Sequence, residues 1–150
     1  MEYGYALSSE EHPPDDLVQN ARRAAPDEEL VQKFEQAGGK GKPRYGQLTI
    51  CWAESEEEAK HTAHEVWPNA GLEGPLSQEL AVPEHFEAAD ELVTPDKVAE
   101  TVVCGPDADL HVQKLREYEQ AGYDHVYVHQ VGRDQEGFFR FYEREVLPKL

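Results

Sequence analysis

The histidines near the end of the chain are the residues best placed to do chemistry. Residues 125–131 are HVYVHQV, and the alternation of valines with polar and aromatic residues predicts a strand. His125 and His129 then lie on the same side of that strand, and His129 and Gln130 lie at its carboxyl end. Because parallel α/β folds carry their sites at the carboxyl ends of strands, His129 is a candidate proton donor. The other interpretation, a strand-end histidine bonded to a neighbouring loop, stays open.

A second group of histidines invites a metal-site interpretation. His61, His64 and Glu65 lie in the segment HTAHE of a predicted helix. Helical zinc motifs place their two histidines four residues apart, whereas these two are three apart, and no third ligand is evident. A pair of histidines that faces solvent is therefore favoured, and no metal site is predicted.

Two further motifs are better explained as structural features. Residues 38–43 are GGKGKP, which lacks the spacing of a phosphate-binding loop and precedes a strand rather than a helix. A helix-to-strand loop is therefore predicted there. Cys51 and Cys104 are far apart, each follows a β-branched residue, and neither is in a CxxC motif, which predicts two buried thiols.

The acidic composition excludes several classes of partner. The chain of 150 residues has a net charge of -17, from 31 acidic residues against 14 Lys and Arg. Such a chain repels nucleic acid and anionic membrane surfaces. No apolar run reaches the ~20 residues that cross a bilayer, and no signal peptide is predicted, so the expected location is the cytoplasm. The even spread of charge favours a salt-adapted surface and a halophilic source.

Three predicted strands alternate with helices, which is typical of an α/β fold with a parallel sheet. One domain, residues 1–150, is expected for this length. The predicted strands are residues 2–7, 45–53 and 125–131. The predicted helices begin near residue 15 and then span residues 27–37, 55–67, 84–92, 95–102, 109–121 and 135–146.

Four long segments, in the same order along the chain, carry a resemblance to a known family. They are residues 2–24, KPRYGQLTICWA at 42–53, AHEVWPNAGLEGPLSQELAVPEHF at 63–86, and YDHVYVHQVGRDQEGFFRFYEREVLPKL at 123–150. These segments resemble the luciferase-like oxidoreductases that use the deazaflavin coenzyme F420, in the branch named after glucose-6-phosphate dehydrogenase.

The resemblance implies a partial (βα)8 TIM barrel. Residues 1–24 match the family's first βα unit, and residues 26–150 match its C-terminal section, with a helical excursion at residues 69–103. The three strands then correspond to barrel strands one, seven and eight, which are neighbours in the order 7-8-1. Strands two to six would be missing, so the chain is expected to be an internally truncated member of the family.

The resemblance also implies hydride transfer at the carboxyl ends of the strands, with coenzyme F420 as the cofactor and FMN less favoured. The candidate cofactor contacts are Ser8 after the first strand, Trp52 after the second, and Gln130 in the third. His129 would be the catalytic proton donor. The alternative is a non-catalytic remnant that forms a stable homo-oligomer without a cofactor.

Two departures from the family pattern bear on activity. The family's Asp–His pair after strand two has no counterpart in this chain. Residues 76–82 and 98–103 contain no Lys or Arg where the family clamps a sugar phosphate, so glucose 6-phosphate is not the expected substrate.

Self-association is the last expectation. Three strands of a barrel leave open sheet edges and expose the apolar face that would line the inside of a closed barrel. That face would include Tyr5 or Ala6, Thr49 or Cys51, and Tyr127 or His129. Exposed surface of this kind normally marks an interface. A two-fold homodimer that buries the sheet face or pairs a sheet edge is therefore predicted.

Overall fold

The strands of this computed structural model, which describes residues 2–4, 26–72, 80 and 82–150, form one parallel sheet. They are β1 (Glu2–Gly4), β2 (Tyr45–Cys51), β3 (Val103–Cys104) and β4 (His125–Gln130), in the order β1-β4-β2-β3. Every described pair of neighbouring strands is parallel. The three predicted strands therefore lie side by side in the predicted order, and the α/β fold class is confirmed.

The short strand β3 is an addition to the predicted sheet. The sequence pattern predicts a helix over residues 95–102 followed by a loop, whereas the helix is Pro95–Ala99 and the next residues pair with β2. Ile50 is the partner of Val103 and Cys51 is the partner of Cys104. A two-residue strand is too short to show an alternating pattern, and it lies on the side of β2 opposite to β4.

Polar side chains begin most of the helices. Asp27, Ser55, Thr94, Asp107 and Asp134 each accept a hydrogen bond from a backbone N–H of the first helical turn, which satisfies a donor that the helix itself leaves free. The described helices are α1 (Glu28–Phe34), α2 (Glu56–Val66), α3 (Pro83–Asp90), α4 (Pro95–Ala99), α5 (Ala108–Gln120) and α6 (Gln135–Phe141). The helix predicted near residue 15 lies outside the described residues.

Wider or tighter turns complete two of the predicted helices. A π-helical turn, Glu35–Gly39, extends α1, and another, Tyr142–Val146, extends α6 before a last 3-10 turn, Leu147–Lys149. Among the described helices, none has both the length and the apolar character needed to cross a membrane.

One face of the sheet is covered along its length. Residues of even number on β2 and β4 pack against α5 and the α6 region, because alternate residues of a strand point to the same face. This core contains Leu48, Ile50, Val112, Leu115, Tyr118, Val126, Val128, Phe138, Tyr142 and Val146.

The described residues that cover the opposite face lie toward the carboxyl ends of β2 and β3. There Cys51 and Cys104 are buried against Ala59 and Ala63 of α2 and Val98 of α4. The small alanine side chains allow α2 to lie close to the sheet. Toward the amino ends the described part of the chain leaves the face open, and Tyr45 is 52% exposed. We call this uncovered part, on β2 and β4, the open face.

Candidate functional site

His129 lies on the open face near the carboxyl end of β4, beside Thr49 of β2. Its imidazole contacts two side chains that sequence reasoning did not single out. Gln47 Nε2 donates to Nδ1 of His129 at 3.4 Å, and the Trp67 ring stands edge-on to the imidazole at a centroid distance of 5.2 Å. The group formed by Gln47, Trp67 and His129 is called the His129 cluster.

The hydrogen bond and the burial determine the protonation state of His129. Because Gln47 donates to Nδ1, the neutral ring carries its proton on Nε2. Burial lowers the pKa of His129 from its ordinary value of 6.5, so the ring is neutral at pH 7. No described residue bonds to Nε2, which leaves its N–H able to donate a hydrogen bond to a bound molecule.

Aromatic rings extend the open face from the His129 cluster toward the amino ends of the strands. The Tyr45 ring stacks on His125 at 4.6 Å and on Tyr127 at 5.7 Å, with nearly parallel planes. These rings and Trp67, which is 39% exposed, give the face flat apolar surfaces of the kind on which planar molecules stack.

Gln130 and Trp52 are brought together, but away from the open face. Gln130 is 5% exposed, its Oε1 accepts from the Trp52 backbone N–H at 2.8 Å, and its Nε2 donates to the Trp52 carbonyl at 3.3 Å. The Trp52 ring packs on Phe141, with centroids 5.9 Å apart, and its Nε1 is buried with no hydrogen bond in the described part of the chain. In this arrangement Gln130 ties the ends of β4 and β2 to one another.

A glycine makes this link sterically feasible. A Cβ at Gly132 would stand 2.7 Å from Gln130 Nε2 and 2.8 Å from the Trp52 carbonyl oxygen, so a larger residue would push the two ends apart. The remaining predicted contact, Ser8, lies outside the described residues.

The other histidine pair has a structural role in part. His64 Nε2 donates to the Val93 carbonyl at 2.8 Å, which ties α2 to the turn before α4, whereas His61 is exposed. No three of the described His, Cys, Asp and Glu residues are grouped so that they could hold a metal ion.

Cations near the carboxyl ends of the strands are already in ion pairs. Arg133 Nη2 lies 2.6 Å from Glu65 Oε1. Lys60 Nζ lies 2.8 Å from Glu56 Oε1 and 3.3 Å from Asp96 Oδ1. An anionic ligand at this end of the sheet would have to compete with these carboxylates.

Several curated proteins that share one name are similar to this chain. An F420-dependent glucose-6-phosphate dehydrogenase of Nakamurella multipartita is 35% identical over 81 residues, which are 54% of this chain and 22% of that protein. The enzyme of the same name from Rhodococcus erythropolis is 27% identical over 97 residues, which are 65% of this chain and 29% of that protein. The chain thus spans less than a third of these relatives. No protein-family model matches the sequence.

Solved structures share the fold. An F420-dependent secondary alcohol dehydrogenase in complex with an F420-acetone adduct matches 77% of this chain and 37% of its own, with a TM-score of 0.62 and 16% identity. The coenzyme F420 dependent tetrahydromethanopterin reductase of Methanopyrus kandleri matches 83% of this chain and 43% of its own, with a TM-score of 0.58 and 18% identity.

These comparisons identify the class of protein to which the fold belongs. The sheet and its helices share the fold of part of these two F420-dependent proteins, a sector of a TIM barrel. Within that class, the chain is a relative of the F420-dependent glucose-6-phosphate dehydrogenases, and the resemblance inferred from its sequence is confirmed. The partial coverage of both sets of proteins fits a chain that keeps only part of the barrel.

Proposed function

We propose that this chain is an F420-dependent oxidoreductase whose site lies on the open face at the His129 cluster. The observation that carries the proposal is the position of His129, a neutral imidazole with an unbonded Nε2 beside Trp67 at the carboxyl ends of parallel strands. When bound, a deazaflavin accepts or donates a hydride, and the protein has to supply position and a route for the proton.

The open face suits the ring of such a cofactor. A deazaflavin ring is planar, with polar atoms at its edge. Trp67 and Tyr127 provide flat surfaces, and the Gln47 amide and His129 Nε2–H provide donors for ring oxygens. The residues present therefore fit the ring.

The anionic side chain of coenzyme F420 fits less well on one copy of the chain. Arg133 is the exposed cation nearest in sequence to the end of β4, and it is paired with Glu65. We propose that a second copy completes the site, in a homodimer that covers the open face. This assembly would also supply the wall that barrel strands two to six form in a complete barrel.

The protonation state of His129 suits it to bind a substrate oxygen. With its pKa lowered, His129 is neutral at pH 7, and Gln47 keeps the ring proton on Nε2. The Nε2–H can then donate a hydrogen bond to the oxygen of an alcohol or a carbonyl beside the cofactor. We propose a small alcohol or ketone as the substrate, since an F420-dependent secondary alcohol dehydrogenase shares this fold.

A titration tests the site directly. Coenzyme F420 and, separately, FMN are added to the purified protein, and binding is followed by the change in their absorbance and fluorescence. We expect saturable binding of F420, at least tenfold weaker binding by His129→Ala, and weak or no binding of FMN. His61→Ala is the control, because His61 is exposed on α2, away from the strands of the open face, and its loss should leave binding unchanged.

Equal binding of F420 by the wild type and His129→Ala would show that the binding site does not include His129. Loss of binding in His61→Ala as well would indicate an effect that is not specific to His129. Activity is then assayed with small secondary alcohols and oxidised F420, and loss of turnover in His129→Ala with unchanged thermal stability supports the catalytic role.

A second candidate function has its own supporting observation. Trp52 and Gln130, two of the expected cofactor contacts, are occupied with each other on the covered side of the sheet. This arrangement, and the lack of the family's Asp–His pair, favour a non-catalytic homo-oligomer without a cofactor. The same titration separates the two functions, since the remnant binds neither F420 nor FMN.

A further inference from the structure

The two cysteines of the chain are neighbours in the sheet. Cys51 ends β2, Cys104 ends β3, and the two residues are register partners on adjacent parallel strands. Adjacent strands are about 4.8 Å apart, within the roughly 4.4–6.8 Å between the Cα atoms of disulfide-bonded cysteines. Both side chains also belong to one core cluster, so they project from the same face of the sheet.

The two thiols differ in their access to small molecules. Cys104 is 7% exposed and lines a cavity of about 700 Å³ beside the edge strand β3, whereas Cys51 is 0% exposed and does not line it. The cavity is lined by residues of α2, α4 and α5, among them Tyr118, and by Leu48 of β2. A small molecule that enters the cavity therefore meets Cys104 first.

We propose that Cys51 and Cys104 form a redox-active dithiol, in which Cys104 is oxidised by a peroxide and Cys51 resolves the product into a disulfide. In the first step Cys104 Sγ attacks one oxygen of hydrogen peroxide, the O–O bond breaks, and a sulfenic acid and one water form. In the second step Cys51 Sγ attacks Cys104 Sγ, the S–O bond breaks, and the disulfide and a second water form. Two thiols are oxidised and one peroxide is reduced to two waters.

The surroundings of the thiols make this reaction slow at neutral pH. Burial raises the pKa of Cys51 to about 11 and that of Cys104 to about 12, and the thiolate is the reacting form. The charged groups that face the pair lie on α2: Glu56 opposes ionisation of Cys104, Lys60 favours it, and Glu58 opposes ionisation of Cys51. The rate of oxidation should therefore rise as the pH is raised into the alkaline range.

The disulfide would join the end of β3 to the end of β2. Of β3, two residues are paired with β2, and no described strand lies on its other side. A covalent link there fixes the edge of the sheet and the wall of the cavity. The dithiol therefore offers a way in which oxidant could alter a part of the chain separate from the His129 cluster.

Mass spectrometry of the folded full chain tests the proposal. After treatment with hydrogen peroxide in mildly alkaline buffer, the intact mass should fall by two hydrogens per chain, and digestion should yield one peptide pair that links Cys51 to Cys104. Dithiothreitol should restore the original mass. A link between two chains, or no loss of hydrogen while the urea-unfolded chain is oxidised, would overturn the proposal.

Single variants test the assigned order of the two steps. In Cys51→Ala the sulfenic acid cannot be resolved, so dimedone should label Cys104. In Cys104→Ala, Cys51 should stay unlabelled as long as the protein is folded, and both variants should be labelled in urea. Circular dichroism checks that each variant is folded. If an alanine variant is not folded, the labelling is repeated with Cys51→Ser or Cys104→Ser. Labelling of Cys51 in folded Cys104→Ala, with none of Cys104 in Cys51→Ala, would contradict the assigned order.

Discussion

His111 is fully buried in the core, and both of its nitrogens are bonded. It lies on α5, its Nε2 is 3.0 Å from the Gly105 carbonyl oxygen, and its Nδ1 is 2.9 Å from the Tyr142 hydroxyl. The carbonyl can only accept, so Nε2 carries the proton, and Nδ1 accepts from Tyr142. Gly105 has a φ of 98°, a conformation that favours glycine, and this turn directs its carbonyl at His111.

We predict that His111→Phe destabilises the fold by about 3 kcal/mol. The substitution leaves the buried Tyr142 hydroxyl and Gly105 carbonyl without their hydrogen bonds to His111, and each such loss costs roughly 1–3 kcal/mol. Urea unfolding followed by circular dichroism measures the change. His61→Phe is the control, since His61 is exposed on α2 and its substitution should change the free energy of unfolding little.

The same residue makes a prediction about pH. Burial lowers the pKa of His111 below its ordinary value of 6.5. As the pH falls through 6.5, His111 is therefore protonated in the unfolded chain while it is still neutral in the folded chain. The contribution of His111 to stability is therefore complete above pH 6.5 and is lost as the pH falls below it. The free energy of unfolding of His111→Phe should therefore fall less than that of the wild type as the pH falls below 6.5. Parallel curves for the two proteins on both sides of pH 6.5 would contradict this assignment.

At the scale of elements, the sequence predicts whatever depends on local pattern and capping. The alternation in residues 45–51 and 125–130 identifies β2 and β4, and Ser55 and Thr94 mark the first residues of α2 and α4. The two-residue strand β3 follows a helix without a turn motif, and its pairing with β2 depends on contacts distant in sequence. Patterns of this kind cannot reveal it.

The sequence likewise predicts only part of the candidate site. The position of His129 follows from its place at the end of a parallel strand. The same alternation also puts Gln130 on the opposite side of β4, where it meets Trp52. Gln47 and Trp67 join His129 only through the register of β2 with β4 and the path of the chain after α2, which the sequence does not specify.

Arg44 and Asp124 hold the loops that lead into β2 and β4. Arg44 Nε and Nη2 each donate to a different oxygen of Asp124 at 3.0 Å, and the Arg44 backbone N–H donates to the same carboxylate at 2.9 Å. A paired fork of this kind is the strongest arrangement of a guanidinium with a carboxylate. It fixes the two strands at their amino ends, the side opposite to the His129 cluster.

We predict that Asp124→Asn lowers the melting temperature by several degrees at neutral pH. The bonds from Arg44 hold the pKa of Asp124 down at about 2, against 3.8 in the unfolded chain. This contribution is present above pH 3.8 and is lost as the pH falls through 3.8 toward 2, so the variant should lose less stability over that range. Asp109→Asn is the control, because its ion pair with Lys149 is highly exposed and should contribute little. Equal losses of melting temperature in Asp124→Asn and Asp109→Asn would contradict the role assigned to the Arg44–Asp124 pair.

At the scale of the whole molecule, two features act against each other. The open face exposes aromatic surface that association would cover, whereas a net charge of -17 on each copy opposes the approach of a second copy. Salt weakens only the repulsion, because the screening length falls from about 30 Å at 0.01 M to about 3 Å at 1 M. Salt should therefore decide whether the proposed homodimer forms.

We predict that the chain sediments as a 17.0 kDa monomer in dilute buffer and as a dimer in about 1 M salt at micromolar concentration. Tyr45→Glu adds a charge to the centre of the stacked rings on the open face and should prevent the dimer at every salt concentration. Leu92→Glu is the matched control, because Leu92 is 84% exposed in the turn after α3 and adds the same charge away from that face. A wild-type protein that stays monomeric in high salt would exclude the dimer. If instead both variants dimerise, the association uses another surface, and the site on the open face must then be complete within one copy.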